Sequence, residues 1–305
     1  MIYTITTNPA IDYYMIVDKP LMEDEVNRSA FERYKAAGKG LNVSGVLQLF
    51  GVKSKAITVV GGFTGQFIAD NFKNNEYIDF IGIEVEGDTR INCKIFGTDK
   101  CYCVNGNGPA VTEDVKVKIL DILKDAKKDD YVMLCGKMAK GLDDSFIHQI
   151  ADVVNSKQAK LVIDMESVNE SLIRKCHPYL IKPNLYELGL MMGKTEIQLS
   201  ELQNVCKEVL SWGVDSILVS LGKDGAYYTD GEQCFKVNQP EFTAINKVGC
   251  GDAMLASFIG KLADGTDKQQ ALKYATAAGC AQAATLDEIT LKDIESFVEK
   301  MSIEK

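Results

Sequence analysis

The sequence is poor in several residue types, and the scarcity of histidine argues against two classes of site. Among 305 residues there are two histidines, one tryptophan and six prolines. His148 and His177 lie far apart in the chain, which argues against a histidine-based metal site and a serine–histidine triad. No GxxxxGK[ST] segment occurs, so there is no Walker A loop. No apolar run approaches the ~20 residues of a membrane-spanning helix, and we expect no membrane partner.

Positive charge is scarcer than negative charge. Lysine and arginine number 34 against 43 aspartates and glutamates, a formal net charge of −9. Nucleic-acid backbones demand a basic surface, so we expect no nucleic-acid partner. An acidic protein that binds anionic metabolites must concentrate its few cations locally. Lysines and arginines beside glycine-rich turns are therefore candidate ligands.

The nine cysteines are odd in number and scattered, which indicates reduced thiols rather than a disulfide framework. Cys101 and Cys103 do not have the spacing of a zinc knuckle. Residues 1–5 resemble a strand that enters a fold rather than a leader peptide. Together these features predict a cytoplasmic protein.

Short apolar strands alternate with helical segments through the C-terminal two thirds of the chain. This alternation predicts a doubly wound, mostly parallel α/β sheet with helices on both faces. Ligands bind such sheets at the carboxyl ends of the strands. The predicted strands lie at 131–135, 160–164, 179–182 and 216–220, and the predicted helices at 115–124, 144–154, 199–212 and 269–284.

Two segments, near residues 11–35 and 88–107, interrupt the alternation. Their β-prone stretches lie at 13–17, 29–34, 90–96 and 100–104. We interpret them as two insertions that assemble a small β-sheet lid, with edge hairpins of the main sheet as the alternative. No internal repeat or proline-rich linker divides the chain, so we expect one domain over residues 1–305.

The strongest local signal is the segment Gly249, Cys250, Gly251 and Asp252, before an apolar helix at 254–262. Two glycines before a helix let its first N–H groups converge, and the helix dipole adds positive charge there. Such a nest suits a phosphoryl group in transfer. Asp252 at its mouth is placed to accept a hydroxyl proton. Taken alone, an N-cap role for Asp252 is an equal alternative.

Two further segments follow predicted strands. Residues 220–225 fit a loop along a polyphosphate, or a hairpin turn, because Asp-Gly is a common turn dipeptide. In the segment 182–187, Asn184 and Glu187 share one face of a helical turn. That pair fits the water shell of Mg²⁺, with a helix cap as the alternative.

Residues 37–43 open a helix that runs to Phe50. Lys39 lies between Gly38 and a second glycine, a group that fits sugar or phosphate oxygens, with a solvated lysine as the alternative. Asp12 follows the first strand, and we expect it at a strand end, where a carboxylate can bind sugar hydroxyls. A plain turn is the alternative there.

The collinear set of motifs resembles the ribokinase-like (PfkB) carbohydrate kinases, in the branch of 1-phosphofructokinase and tagatose-6-phosphate kinase. The resemblance runs from residue 1 to about residue 290. Its motifs are TNPAID at 7–12, VNRS at 26–29, GKGLNV at 38–43, GGFTG at 61–65, GDTRIN at 87–92, KPN at 182–184, VSLG at 219–222 and GCGD at 249–252.

This resemblance implies a Rossmann-like domain with a β lid that often mediates dimerisation, so we expect a homodimer through the lid. It implies that Asp252 deprotonates the sugar hydroxyl that attacks the γ-phosphate of ATP, in an anion hole of Gly249, Cys250 and Gly251. The implied nucleotide contacts are Lys182, Asn184, Ser220, Leu221, Gly222, Lys223, Asp224, Gly225 and Gly251, with Asn184 and Glu187 for Mg²⁺. The implied substrate contacts are Asp12, Arg28, Gly38, Lys39, Asn42, Arg90 and Lys137.

Lys39 favours a phosphosugar substrate, because a phosphate enclosed under a lid needs a paired cation. We expect phosphorylation of fructose 1-phosphate to fructose 1,6-bisphosphate. Tagatose 6-phosphate is the alternative substrate. A catalytically weak relative that binds nucleotide or phosphosugar is the alternative of another class.

The sequence departs from the family pattern in several places, including Ala37, which stands where the family has the first of two glycines. Lys137 stands where the family has a phosphate-binding serine, and its charge either strengthens phosphate binding or points into solvent. Cys250 replaces an alanine, and its place beside a helix N-terminus predicts a lowered thiol pKa and activity sensitive to alkylation. The segment 164–168 lacks the family's Ser-Gly-Glu, so loop packing there is expected to differ.

Overall fold

Ten strands form the main sheet of the computed structural model, which describes residues 1–246 and 248–304. A second sheet has four strands. In chain order the strands are β1 (Ile2–Thr6), β2 (Ala10–Ile16), β3 (Phe31–Ala37), β4 (Ser54–Val60), β5 (Ile78–Glu84), β6 (Arg90–Phe96), β7 (Cys101–Asn105), β8 (Tyr131–Cys135), β9 (Lys160–Asp164), β10 (Leu180–Ile181), β11 (Ser216–Ser220), β12 (Ala226–Thr229), β13 (Cys234–Asn238) and β14 (Ser302–Glu304).

Helices connect these strands and cover the main sheet. They are α1 (Lys39–Leu47), α2 (Gly62–Phe72), α3 (Glu113–Leu123), α4 (Asp144–Ser156), α5 (Glu170–Cys176), α6 (Leu185–Met191), α7 (Leu202–Leu210), α8 (Cys250–Ala263), α9 (Lys268–Ala283) and α10 (Leu291–Val298). Short 3₁₀ turns lie at Gln48–Phe50, Leu199–Glu201 and Gly222–Asp224. No helix among the described residues is long and apolar enough to cross a bilayer.

The main sheet runs in the order β14-β13-β12-β11-β10-β9-β8-β1-β4-β5. Seven neighbouring strands of this sheet are parallel, namely β11, β10, β9, β8, β1, β4 and β5. The strands β12, β13 and β14 pair antiparallel and extend the sheet beyond β11. Every residue of β1 and β8 is buried, as expected for strands that have helices on both faces. The predicted doubly wound, mostly parallel sheet is confirmed.

Two hydrophobic clusters lie between the main sheet and the helices, one on each face of the sheet. One joins the sheet to α3, α4, α5 and α7, through side chains such as Phe146 and Val205. The other joins the opposite face to α1, α8 and α9, through Phe258 and Ala275. The N-termini of α1 and α8 therefore lie in one layer, at the carboxyl edge of the sheet.

Three predicted strands, at 131–135, 160–164 and 216–220, coincide with β8, β9 and β11. The strand predicted at 179–182 is reduced to β10, where Pro178 and Pro183 bracket the segment and supply no N–H for a sheet ladder. The helix predicted at 199–212 begins as a 3₁₀ turn and becomes α-helical in α7.

The second sheet, here called the lid, has the order β3-β2-β6-β7. Parallel pairing of β2 with β6 joins the two β-prone segments of the sequence. The edge-hairpin alternative is therefore wrong. Asp12 was expected at a strand end, which is also wrong. It is the third residue of β2, because that strand already begins at Ala10.

The two faces of the lid differ in chemistry. Near its base, one face packs on the body through Ile11 and Ile91, which contact the cluster of Leu41 and Ile68. On the opposite face, the register places Asp12 beside Asn92 of β6 and Lys35 of β3. We call this polar side the inner lid face.

Arg33 on β3 ties the lid to the loop between α9 and α10. Its Nη2 donates a hydrogen bond to the Leu286 carbonyl oxygen at 2.8 Å, and its Nη1 lies 3.5 Å from Asp287 Oδ1. The guanidinium also lies over the Tyr14 ring, 5.3 Å from the ring centroid. The lid is thus held over the end of the sheet where α1 and α8 begin.

Candidate active site

Asp252 occupies the first turn of α8, with its side chain buried at the helix start. Gly249 is the N-cap and has a φ of 80°, a left-handed conformation that favours glycine. Asn42 on α1 donates from Nδ2 to Asp252 Oδ2 at 2.7 Å. The alternative that Asp252 is the N-cap is therefore wrong, since its carboxylate faces α1. Lys247, in the same segment, lies outside the described residues.

Asp164 is a central residue that the sequence interpretation did not assign to the site. It ends β9, and 2% of its side chain is exposed. Lys39 Nζ lies 3.3 Å and Lys182 Nζ 3.4 Å from its Oδ1. Its Oδ2 is buried without a hydrogen-bond partner among the described residues. The available signal was a carboxylate that directly follows the apolar run Leu161–Ile163, at a strand end where ligand sites of α/β sheets lie.

The pKa of the Asp252 carboxyl is raised to about 6. Burial is the main cause, and the negative charge of Asp164 adds to it. The hydrogen bond from Asn42 and the charges of Lys39 and Lys182 act in the opposite direction. A carboxylate of this kind is ionised at neutral pH and is basic enough to accept a proton from a hydroxyl group.

Two ammonium groups lie beside the glycine turn. Burial alone lowers the pKa of Lys39, but the charges of Asp164 and Asp252 outweigh it, so the pKa is raised and the ammonium is kept. A Cβ built on Gly251 would lie 3.0 Å from Lys182 Nζ, so this amine lies against the turn itself. Positive charge and helix N–H groups therefore converge where a phosphoryl group can bind.

Cys250 does not behave as its position suggested. Burial raises the pKa of its thiol to about 11, and the negative charge of Asp252 acts in the same direction. Its Sγ donates to the Asn246 carbonyl oxygen at 3.7 Å. The predicted lowering of this pKa is wrong, because burial and a nearby carboxylate outweigh the helix dipole.

Asn184 and Glu187 form a capping box at the start of α6. Asn184 Oδ1 accepts from the Glu187 backbone N–H at 2.8 Å, and Glu187 Oε2 accepts from the Asn184 N–H at 2.8 Å. The helix-cap alternative is thus observed. The bond to Asn184 uses only Oε2 of Glu187. Among the described residues, no three or more histidine, cysteine or acidic side chains are grouped so that they could hold a metal ion by themselves. One carboxylate and one amide suit an ion that keeps most of its water, as Mg²⁺ does.

Residues 220–225 form the tight connection from β11 to the antiparallel β12, so the hairpin alternative describes their backbone. Gly225 has a φ of 88°, and a Cβ there would lie 1.9 Å from the Val237 carbonyl oxygen. Ser220 donates its N–H to the Pro183 carbonyl oxygen at 3.1 Å and forms a bridge with Asn184. The two nucleotide segments inferred from sequence are therefore neighbours at the sheet edge. The connection between β11 and β12 consists of Ser220, Leu221, Gly222, Lys223, Asp224 and Gly225.

The cations inferred for the substrate phosphate differ in their surroundings. Arg90 is half-buried and donates to the carbonyl oxygens of Asn8 at 3.0 Å and of Pro9 and Gly106 at 3.3 Å. Burial lowers its pKa. Lys137 is exposed, and it has no ion-pair partner among the described residues, so its charge points into solvent. Arg28 is exposed in the loop between β2 and β3.

Gly38 and Gly136 allow close packing of the chain around Lys39. Gly38 is the N-cap of α1, and a Cβ there would lie 2.7 Å from Thr6 Cγ2. A Cβ on Gly136, after β8, would lie 3.4 Å from Lys39 Cβ. The stem of Lys39 is thus packed against the chain just before Lys137.

The inner lid face adds residues that sequence reasoning missed. Asn92 donates from Nδ2 to Asp12 Oδ1 at 2.8 Å, and the Lys94 ammonium pairs with Asp12 Oδ2. Lys94 also lies 3.3 Å from the Tyr14 hydroxyl. The alternation of Arg90, Asn92 and Lys94 along one strand was the available signal, because alternate residues share a face.

A cavity of about 490 Å³ lies under the lid. Its lining includes Asp12 on the lid, Asn42 on α1 and Gly249 at the start of α8. Residues inferred separately for the sugar and for catalysis thus line one space.

Comparison with known proteins identifies the family. The model of the pfkB family carbohydrate kinases matches residues 4–291. The chain belongs to this family. It is 35% identical over 281 residues to the D-tagatose-1-phosphate kinase of Bacillus licheniformis, which covers 92% of this chain and 91% of that protein. It is 32% identical over 303 residues to the 1-phosphofructokinase of Bacillus subtilis, which covers 99% and 97%.

The fold of this pfkB family member is shared with phosphofructokinase-2 from Escherichia coli. That structure, solved with substrates and products, superposes with a TM-score of 0.89 over 98% of both chains. Sequence identity is 22%, so the likeness concerns the fold alone. The ribokinase-like architecture with its lid is confirmed.

The raised pKa of Asp252 has a consequence for stability. A carboxyl whose pKa is raised on folding, here from 3.8 to about 6, makes the folded state bind its proton more tightly. The free energy of unfolding therefore falls as pH rises through this window. We expect Asp252→Asn to raise the free energy of unfolding by roughly 1–3 kcal/mol at pH 7.5, with a gain that shrinks toward pH 4.

Urea unfolding followed by circular dichroism at both pH values measures this effect. Asp230→Asn is the control of opposite sign. Burial opposes ionisation of Asp230, but hydrogen bonds, chiefly from Lys268, outweigh it and lower its pKa. That variant should lose stability at pH 7.5. A loss of stability in Asp252→Asn at pH 7.5 would contradict the account of Asp252.

Proposed function

We propose that the protein transfers the γ-phosphate of ATP to a ketohexose 1-phosphate, with fructose 1-phosphate as the preferred substrate and fructose 1,6-bisphosphate as the product. The observation that carries this proposal is the pair of Asp252 and Asn42 beside two ammonium groups. A buried carboxylate with a raised pKa, next to converged N–H groups, has the features of a phosphotransferase base.

Asp252 accepts the proton of the attacking primary hydroxyl of the sugar. The backbone of Gly249, Cys250 and Gly251, at the positive end of the α8 dipole, stabilises the charge on the phosphoryl group in transfer. Lys182 lies against this turn and adds a fixed positive charge. The hydrogen bond from Asn42, which itself lines the cavity under the lid, fixes the orientation of the Asp252 carboxylate.

The nucleotide lies along the sheet edge beyond the glycine turn. Asn184 and Ser220, which are bridged there, and the connection at 220–225 line its phosphates. Mg²⁺ supplies charge neutralisation of those phosphates when it is bound. Asn184 and Glu187 hold its water shell, since they offer one amide and one carboxylate.

The sugar lies between Asp12 on the lid and Asn42 and Gly38 on the α1 side. Its existing phosphate pairs with Lys39 and Arg90, and Arg28 approaches it from the lid, whereas Lys137 points into solvent. Lys39 supports a phosphorylated substrate because its pKa is raised and its ammonium is half-buried at the site. A neutral sugar needs no such cation.

Tagatose 1-phosphate is the second candidate substrate. It is favoured by the 35% identity to the relative named D-tagatose-1-phosphate kinase. The two sugars are epimers at one ring carbon, so discrimination between them rests on a single hydroxyl position. Tagatose 6-phosphate is less favoured, because the relatives described above are named for 1-phosphates or for fructose.

We further propose a cytoplasmic homodimer that associates through the lid. All five residues of the edge strand β7 are exposed, among them Tyr102 and Val104. An exposed edge strand with apolar side chains favours pairing with another chain. Under two-fold symmetry each subunit would contribute the same β7 edge to this interface.

The dimer is tested by Val104→Asp, with Val117→Asp as the matched control. Both valines are exposed, but Val117 lies on α3, away from the lid. We expect the wild type and Val117→Asp to sediment as dimers, and Val104→Asp to shift toward monomer. Analytical ultracentrifugation at micromolar protein measures this. If the wild type sediments as a monomer, or if both variants have the same sedimentation coefficient, the proposed lid interface is wrong.

The activity is tested by ADP release over fructose, fructose 1-phosphate, fructose 6-phosphate, tagatose 1-phosphate and tagatose 6-phosphate. We expect the highest kcat/KM for fructose 1-phosphate. Asp252→Asn should lower kcat on the order of 10²–10⁴-fold, the range for loss of a general base. Asp264→Asn, at the other end of α8, is the control and should keep wild-type turnover.

Intact turnover in Asp252→Asn would contradict the proposed mechanism. Nucleotide binding without turnover of any phosphosugar would instead indicate a binding protein, the alternative of another class.

A further inference from the structure

The inner lid face holds a buried ion pair that the reaction chemistry does not explain. Asp12 and Lys94 have side chains 7% and 8% exposed, and the Lys94 ammonium contacts Asp12 Oδ2. The other carboxylate oxygen accepts from Asn92 Nδ2 at 2.8 Å. Both oxygens of Asp12 therefore have a donor from β6, while each keeps a lone pair for another donor.

The two members of the pair differ in their position relative to the cavity under the lid. Asp12 lines the cavity together with Asn42, whereas Lys94 is not among the described residues that line it. Tyr14, which lines the cavity as Asp12 does, holds Lys94 beside the carboxylate, since its hydroxyl lies 3.3 Å and its ring centroid 5.0 Å from Lys94 Nζ. The ammonium is thus placed to act on Asp12 rather than on a ligand.

The charge of Lys94 is maintained by this contact. Burial alone lowers its pKa, but the hydrogen bond and the charge of Asp12 outweigh burial, and the pKa is raised. A lysine buried without such a partner loses its proton instead.

A carboxylate facing an anionic ligand poses a problem that a neutral ligand does not. Asp12 offers good acceptors for sugar hydroxyls, but its negative charge repels a phosphate on the same sugar. Between unit charges about 6 Å apart at an effective dielectric constant near 20, this repulsion corresponds to about 100-fold in affinity.

We infer that Lys94 is a positioning and specificity residue that adapts the sugar-binding carboxylate of the lid to phosphorylated sugars. By pairing with Asp12, it cancels the repulsion toward the substrate phosphate and leaves acceptor lone pairs for a sugar hydroxyl. This inference rests on the proposed function, in which the phosphosugar binds against Asp12.

The test is a double-mutant cycle on the KM for fructose 1-phosphate in the full-length protein. Lys94→Met exposes the unpaired charge of Asp12, and we expect KM to rise about 10–100-fold with kcat within about 3-fold. Adding Asp12→Asn removes that charge, so the double variant should have a lower KM than Lys94→Met alone. Lys94→Arg should recover most of the loss, and the KM for ATP should stay constant throughout.

A merely structural role predicts the opposite order, with the double variant at least as impaired as Lys94→Met. That order, or a loss in kcat at unchanged KM, overturns the inference. If Lys94→Met does not fold, as judged by its circular dichroism, the same comparison of KM for fructose 1-phosphate is made between Lys94→Gln and Asp12→Asn/Lys94→Gln. A wild type that turns over none of the phosphosugars instead overturns the proposed function, and this inference with it.

Discussion

Four charges at the carboxyl edge of the main sheet determine what this site can do. Asp164 and Asp252 are buried close enough that the charge of one raises the pKa of the other. Both lysines of the cluster, Lys39 and Lys182, lie on Asp164. Within residues 1–246 and 248–304, the one donor to the Asp252 carboxylate is the amide of Asn42. Asp252 therefore lacks a direct cationic partner, and burial together with the charge of Asp164 raises its pKa, as expected for a general base.

The fold makes this cluster from distant parts of the chain. Asn42 and Asp252 are 210 positions apart, and they meet because α1 and α8 pack in one layer with their N-termini at the same sheet edge. β9 delivers Asp164 to that edge from the middle of the sheet. The lid covers an adjoining cavity, where Asp12 lies opposite Asn42 and Gly249.

Local sequence patterns were sufficient to predict much of this architecture. The apolar runs that became β8, β9 and β11 are buried strands with unambiguous bounds, and two glycines before an apolar run predicted the start of α8. Asp164 escaped notice because its role depends on Lys39 and Lys182, which are 125 and 18 positions away. Lys94 escaped because its partner is set by parallel pairing of β2 with β6, which no local pattern specifies. The Cys250 thiol was misjudged because burial is a property of the whole fold.

The central claim is that Asp252 is a buried base whose pKa is raised in the free protein. A carbon-13 NMR titration of the aspartate carboxyl groups tests it most directly, with the Asp252 signal assigned by its absence in Asp252→Asn. The account predicts a midpoint near pH 6, and a higher midpoint in Asn42→Ala, because the hydrogen bond from Asn42 favours the ionised form. A midpoint near the ordinary value of 3.8, unchanged by Asn42→Ala, would contradict it.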